Sequence, residues 1–249
     1  MKKKSKKSWH NKVISISLII VFICLLATNQ WYSESRTAEK EINELESIVF
    51  ADDNGTNGSA ESSKESDIPQ IKDCVAWVKI PDTDINYPVM QKDGSPEYYL
   101  RRNYKGEYSY SGTPFLDARC NIAASQNLII YGHNMRDGKM FSNLLDYKKT
   151  DFCREHRTIY LTVNGTTAEY ELFAVCKVKS NDEWYGYSNQ TDEETFNNLI
   201  SHIKSKSLYD SPTEAEYGDY FITLSTCDYS QKDSRLLIIS KKVDSILDF

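Results

Sequence analysis

Apolar and polar residues change rhythm several times along the chain. Val13 to Ala27 runs for fifteen residues without a charge, with Trp9 before it and Trp31 and Tyr32 after it. Extended to Tyr32, the stretch 13–32 has the ~20 residues that a helix needs to cross a bilayer, with aromatic residues where the interfaces would lie. From Ser33 to Phe50 the composition turns to Glu and Lys, with Ile42, Leu45 and Val49 at helical spacing. That pattern predicts a juxtamembrane helix with a thin apolar stripe. Ala51 to Ser66 has no large apolar residue and reads as a flexible linker, so that 33–66 connects the apolar stretch to a folded domain over 67–249.

Within that domain the rhythm is mostly that of strands. Trp77-Val-Lys-Ile-Pro and Ile85-Asn-Tyr-Pro-Val are β-rich pieces interrupted by prolines, which suit strand starts and edges. Asn127 to Tyr131 is a short apolar run that fits a buried strand. Thr158 to Lys179 predicts a hairpin, because Asn164-Gly165 separates two β-branched runs. Tyr220 to Thr226 and Arg235 to Ser240 supply two more strands. Between them, Phe196, Leu199, Ile200 and Ile203 recur on one helical face over about 192–207. Thr191 and Glu194 are spaced as a capping box at the start of that helix. Many strands and few helices indicate a mainly β fold, a closed or nearly closed barrel with helical decoration.

Charge then adds direction. The chain carries a net −6, yet residues 1–12 hold six lysines and no acid; +6 there leaves −12 on the remainder. An acidic body excludes nucleic acid as the main partner. The lysine cluster beside the apolar stretch orients the N-terminus inward and the body outward. A cleaved signal peptide fits less well, since Leu25 stands where a small residue would precede Ala27, and Ile23 before Cys24 is too bulky for a lipoprotein site. The expectation is a single-pass cell-membrane protein with residues 1–12 cytoplasmic and 67–249 extracellular. Beyond Cys24, five cysteines remain, an odd number with no CxxC spacing, so at least one thiol has no partner within the monomer.

One of those thiols sits where chemistry is plausible. Cys227 ends the strand that begins at Tyr220, on the same face as Ser225, and Arg235 opens the next strand. If the two strands pair antiparallel, Cys227 and Arg235 stand at the same end. A guanidinium there favours the thiolate, which is the nucleophile, and can neutralise an oxyanion during acyl transfer. A leaving amine also needs a proton. Of four histidines, His10 lies on the lysine-rich side, His156 among charges and His202 on the polar side of a helix. His133, directly after the Asn127–Tyr131 strand, is the one good partner. Each of the three alone has an ordinary explanation as a buried thiol, a structural imidazole or a surface charge.

Together they carry a resemblance. Thr223-Leu-Ser-Thr-Cys227 resembles the TLxTC signature of sortases, the cysteine transpeptidases of Gram-positive cell surfaces, with Arg235 eight residues on. Trp77 to Gln91 is similar to their first strands, and Gly132-His-Asn-Met135 to their histidine segment. Tyr99-Leu100, Ser111-Gly112 and Phe115-Leu-Asp117 are similar to class B members, as are Ser225, Asp228 and the long helix near 192–207.

The resemblance implies an eight-stranded barrel with N-terminal helices. It implies an enzyme that cuts a C-terminal sorting signal of exported proteins after Thr, with Cys227 as nucleophile, His133 as the proton donor to the leaving amine, and Arg235 holding substrate and oxyanion. Ser225 would bond substrate backbone, and Tyr185 would form a wall of the groove. The thioacyl intermediate would be resolved by an amine of the peptidoglycan cross-bridge or its lipid-linked precursor. This chemistry requires no metal and no organic cofactor. Two other functions compete: a non-catalytic membrane-tethered β-barrel binding protein, and a cysteine peptidase that only hydrolyses. An L,D-transpeptidase would place its histidine just before the cysteine; here 94 residues separate them.

Overall fold

A computed structural model describes residues 3–49, 71–189 and 192–243, and the chain divides into two units, Met1–Ser59 and Ala60–Phe249. In the first unit one helix, α1, runs unbroken over Lys3–Val49. The apolar stretch and the helix expected from Ser33 are therefore a single element. Its segment Lys12–Gln30, 19 residues, is long and apolar enough to cross a membrane. The expected linker over 51–66 and the first residues of the expected domain lie outside the described residues.

The second unit holds eight strands: β1 Cys74–Lys79, β2 Asn86–Met90, β3 Phe115–Leu116, β4 Asn127–Tyr131, β5 Thr158–Val163, β6 Thr166–Lys179, β7 Phe221–Cys227 and β8 Ser234–Lys242. They close into a barrel in the order β1-β2-β3-β4-β7-β8-β6-β5. Closure leaves no sheet edge to pair with another chain. Most neighbours are antiparallel, but β2 runs parallel to β3 and β4 parallel to β7. The β5/β6 hairpin turns at Asn164 and Gly165, whose φ values of 49° and 77° are both left-handed. Asparagine and glycine tolerate that region at little steric cost, which is why this dipeptide makes the turn.

Two helices decorate the barrel, α2 over Thr150–Glu155 and α3 over Glu193–Lys206. α3 buries Phe196, Ile200 and Ile203, the face its spacing predicts. Its N-cap is Asp192 rather than the expected Thr191–Glu194 box: the Asp192 carboxylate accepts the Thr195 N–H at 2.8 Å. A carboxylate at a helix N-terminus satisfies a free donor and also opposes the helix dipole, so it outcompetes a hydroxyl one residue earlier. Thr191 itself lies outside the described residues.

β7 positions the site. It is hydrogen-bonded to β4 on one side and β8 on the other, and Phe221 to Thr226 are all buried. On the Phe221, Thr223 and Ser225 face it is covered by α3 and by a 3-10 turn, Glu183–Gly186, with Trp184 and Phe196 packed against Phe221. Under that cover the polar groups of β7 must find partners, and they do. Thr223 Oγ1 accepts the Trp184 indole N–H at 3.0 Å and donates to Asn127 Oδ1 at 2.8 Å. Asn127 in turn donates to the Tyr187 carbonyl at 2.8 Å. The first threonine of the Thr223-Leu-Ser-Thr-Cys227 segment thus fastens turn, β4 and β7 together.

Candidate active site

The cysteine, the arginine and the histidine of the sequence argument come from three segments that hydrogen bonds tie at one end of β4, β7 and β8. Cys227 and Arg235 are paired residues on the last rung of the β7/β8 ladder. Tyr131 pairs with Ser225 on the last rung of the parallel β4/β7 ladder. The chain leaving β4 stays fixed to β7: Gly132 N–H donates to the Ser225 carbonyl at 3.1 Å, and Thr226 Oγ1 donates to the Gly132 carbonyl at 2.8 Å. Asn134 Nδ2 donates to the Cys227 carbonyl at 2.9 Å. His133 is held between these two attachments. A Cβ at residue 132 would meet the Phe141 ring at 2.5 Å, so glycine is what lets the chain pass there.

His133 Nε2 lies 2.9 Å from the Leu100 carbonyl. A carbonyl only accepts, so Nε2 carries the proton and Nδ1 of the neutral ring is the basic nitrogen. The Leu100 carbonyl belongs to the 3-10 turn Tyr98–Arg101 and is itself crowded by Gly112. Gly112 has φ +60°, and a Cβ there would stand 2.5 Å from the Leu100 oxygen. Burial lowers the His133 pKa below its ordinary 6.5; the Leu100 bond opposes this and the Arg101 charge adds to it. The resting imidazole at neutral pH is therefore the uncharged ring, a form that accepts a proton before it donates one.

Tyr185 and Ser225 meet directly, hydroxyl to hydroxyl at 2.7 Å, and both are buried. Tyr185 also stacks on Tyr131, with ring centroids 6.0 Å apart and planes 20° from parallel. Tyr131 OH donates to Asp117 Oδ2 at 2.7 Å, and Arg119 closes the chain on Asp117 with two further bonds. Burial pushes the Tyr185 phenol up to about 12, partly offset by Ser225 and the Arg235 charge. It is therefore a neutral hydrogen-bonding group near Arg235 and Cys227.

Several participants were not singled out by the sequence argument. Asn134 follows His133 but gave no sign that it would anchor the Cys227 carbonyl. Asp228, seen only as a class mark, is buried and paired with Lys148 at 2.9 Å, with Lys177 3.7 Å away. Burial works to raise its pKa, but Lys148 and the Ser230 N–H outweigh that and hold it below 3.8. Its carboxylate accepts the Ser230 N–H at 3.0 Å and so ties down the loop between Cys227 and Arg235. All six cysteines are free thiols. Cys74, Cys120, Cys153 and Cys176 are raised to between about 11 and about 12, chiefly by burial, as expected of packing thiols. Among the described residues no cluster of His, Cys, Asp or Glu is arranged to hold a metal ion.

The chain has known relatives. The sortase domain family matches residues 78–243, from β1 to the end of β8. The chain belongs to the sortase family. It is a cysteine transpeptidase of the sortase B type. It is 35% identical over 216 residues to sortase B of Listeria monocytogenes, covering 84% of this chain and 87% of that protein. The crystal structure of sortase B from B. anthracis in complex with AAEK1 superposes with a TM-score of 0.72 at 30% identity, covering 86% of this chain and 99% of that one. A Staphylococcus aureus sortase B–substrate complex superposes with a TM-score of 0.64 at 28% identity, covering 70% and 81%. The eight-stranded barrel that the resemblance implied is the barrel found.

Proposed function

We propose that this sortase cleaves a C-terminal sorting signal of exported proteins after Thr and joins the new carboxyl end to a peptidoglycan amine. The observation that carries the reading is the shared rung of Cys227 and Arg235 beside the fixed His133 segment. It supports the following steps. Nδ1 of neutral His133 takes the Cys227 thiol proton, and the sulfur attacks the Thr carbonyl. Arg235 steadies the oxyanion that forms. The C–N bond then breaks, the imidazolium gives its proton to the departing amine, and a thioacyl bond joins Thr to Cys227. An amine from the peptidoglycan cross-bridge or its lipid-linked precursor attacks that thioester and loses a proton to His133; the C–S bond breaks, and the imidazolium returns the proton to the Cys227 sulfur, restoring the thiol and the neutral ring.

Tyr185 and Ser225 would form one wall of the groove that receives the peptide, with their shared hydrogen bond fixing the wall's position. The S. aureus relative crystallised with its substrate supports a peptide groove in this family. α1 supports tethering by its Lys12–Gln30 segment, and the lysines preceding that segment favour an inward N-terminus and an outward catalytic domain. Such a tether would hold the enzyme near two membrane-associated reactants.

The test is a panel of Thr-containing sorting pentapeptides offered with and without an added amine. Cleavage after Thr with a ligated product supports transfer. Cleavage with no ligated product in excess amine would make the enzyme a hydrolase, and cleavage at another bond would refute the specificity proposed.

A further inference from the structure

His202 is not on an idle helix face. It projects from α3 to the corner between β6 and the Glu183–Gly186 turn. Its Nε2 lies 3.0 Å from Asp182 Oδ1 and 3.1 Å from Oδ2, and its Nδ1 lies 2.8 Å from Glu183 Oε1. Carboxylates only accept, so a ring flanked by one at each nitrogen is satisfied only with a proton on both, as the imidazolium. Asp182 Oδ1 also accepts the Trp184 N–H at 3.0 Å and thereby caps the turn. The Tyr185 N–H donates to the Asp182 carbonyl at 3.1 Å. The histidine therefore grips the oxygen that starts the turn, and the turn's far side is fastened to β7 through Trp184 to Thr223 and Tyr185 to Ser225.

We propose that His202 is a positioning residue for the sorting peptide, holding Asp182 and Glu183 so that Tyr185 is set against Ser225. This rests on the reading that Tyr185 walls the groove. Without the charge on His202, neighbouring Asp182 and Glu183 lose the cation between them; Glu183 is 62% exposed and hydrated, but Asp182 is only 10% exposed, so the loss falls mainly on the carboxylate that caps the turn. The corner then loosens, and peptide binding weakens while the chemistry at Cys227 does not.

α3 packs on the turn, on β6 and, through Phe196, on Phe221 of β7. From the turn, Asp182 and Glu183 face the ring. On β6, Cys176 donates to the Ile203 carbonyl and is held up at about 12, by burial first and Asp182 second, so it stays neutral. Lys177 is directed to Ser230 and Asp228, and Lys179 to the Lys232 carbonyl.

The experiment compares full-length wild type, His202→Gln and His202→Arg. Backbone hydrogen exchange over 182–187 is read without substrate, and KM and kcat are measured for a cleaved sorting peptide. Expected in His202→Gln are faster exchange in that segment and a KM raised about fivefold, the size of a part-exposed ion pair, with kcat little changed. His202→Arg, which keeps a positive charge at the corner, should hold KM near the wild-type value. Unchanged exchange in His202→Gln overturns the clamp. Faster exchange with unchanged KM overturns the positioning role of His202, while a KM unchanged in Tyr185→Ala would instead overturn the place of Tyr185 in the groove.

Discussion

Cys227 and Arg235 face each other across the terminal rung of β7 and β8. The six-residue loop 228–233 joins the two strands, yet the loop does not set their separation: the ladder below does, through seven paired positions from Phe221↔Lys241 to Cys227↔Arg235. A nucleophile and a cation mounted on rigid strands keep their geometry when a peptide arrives, and preorganisation of that kind is what makes an electrostatic contribution large.

Arg235→Ala should therefore lower kcat/KM for a sorting peptide by roughly 10²–10³, the loss seen when a preorganised oxyanion donor is removed. Arg235→Lys should recover little of it, since an ammonium cannot reproduce a planar two-pronged donor. Steady-state kinetics on both variants checks this; full activity in Arg235→Lys would reduce the role to charge alone.

The lowered pKa of His133 fixes the sign of the acid limb. The ring must be neutral at Nδ1 to take the thiol proton, and its pKa in the folded protein lies below 6.5. Cleavage should thus persist as pH drops through 6.5 and fall only below it. The same shift bears on stability: the unfolded chain binds this proton more readily, so the contribution is fully present above 6.5 and is lost as pH falls through the window beneath it. A pH–rate profile with parallel urea melts measures both, and an acid limb above 6.5 would refute the assignment.

Thr223 looks catalytic by its place in the motif but is bonded as a structural residue. Thr223→Val removes the acceptor of the Trp184 indole and the donor to Asn127, both buried. Leaving such groups unpaired costs about 1–3 kcal/mol. Urea denaturation should show that loss, while kcat of the folded fraction changes far less than in any variant of Cys227.

Gly112 acts on the histidine at second hand. Gly112→Ala places a methyl 2.5 Å from the Leu100 oxygen at a left-handed φ, so that the carbonyl must move and His133 loses its partner. The expected result is a drop in kcat of about tenfold or more, since an ångström of misplacement can cost that much. It should come with a smaller effect on KM. An unchanged kcat would show that the Leu100 bond does not orient the ring.

Local chemistry was the most readable part of the sequence. The Asn164–Gly165 turn and the buried Asn127–Tyr131 strand follow from backbone preference and short-range pattern, and both stand where the pattern puts them. Pairing Cys227 with Arg235 needed only a loop between two strands. The two-residue strand β3 has no periodicity to betray it, and the parallel pairing of Asn127 with Phe221 joins positions 94 apart with nothing local to announce it. Tyr185 was legible as an aromatic near a helix, but its bond to Ser225 depends on how the β6-to-α3 connection folds over β7. His202 was set aside as a residue on a polar helix face. The carboxylates that meet it come from a turn some twenty residues earlier, which helical spacing alone does not place.

The account stands most directly on the identity of the acylated atom. Full-length protein incubated with a cleaved sorting peptide and no amine should gain the mass of the peptide's N-terminal fragment through Thr, mapped by mass spectrometry to Cys227 and discharged as ligated product when an amine is added. Cys227→Ala should show neither adduct nor cleavage while melting at the same temperature as wild type. An adduct on another residue, or cleavage by Cys227→Ala at the wild-type rate, would contradict it.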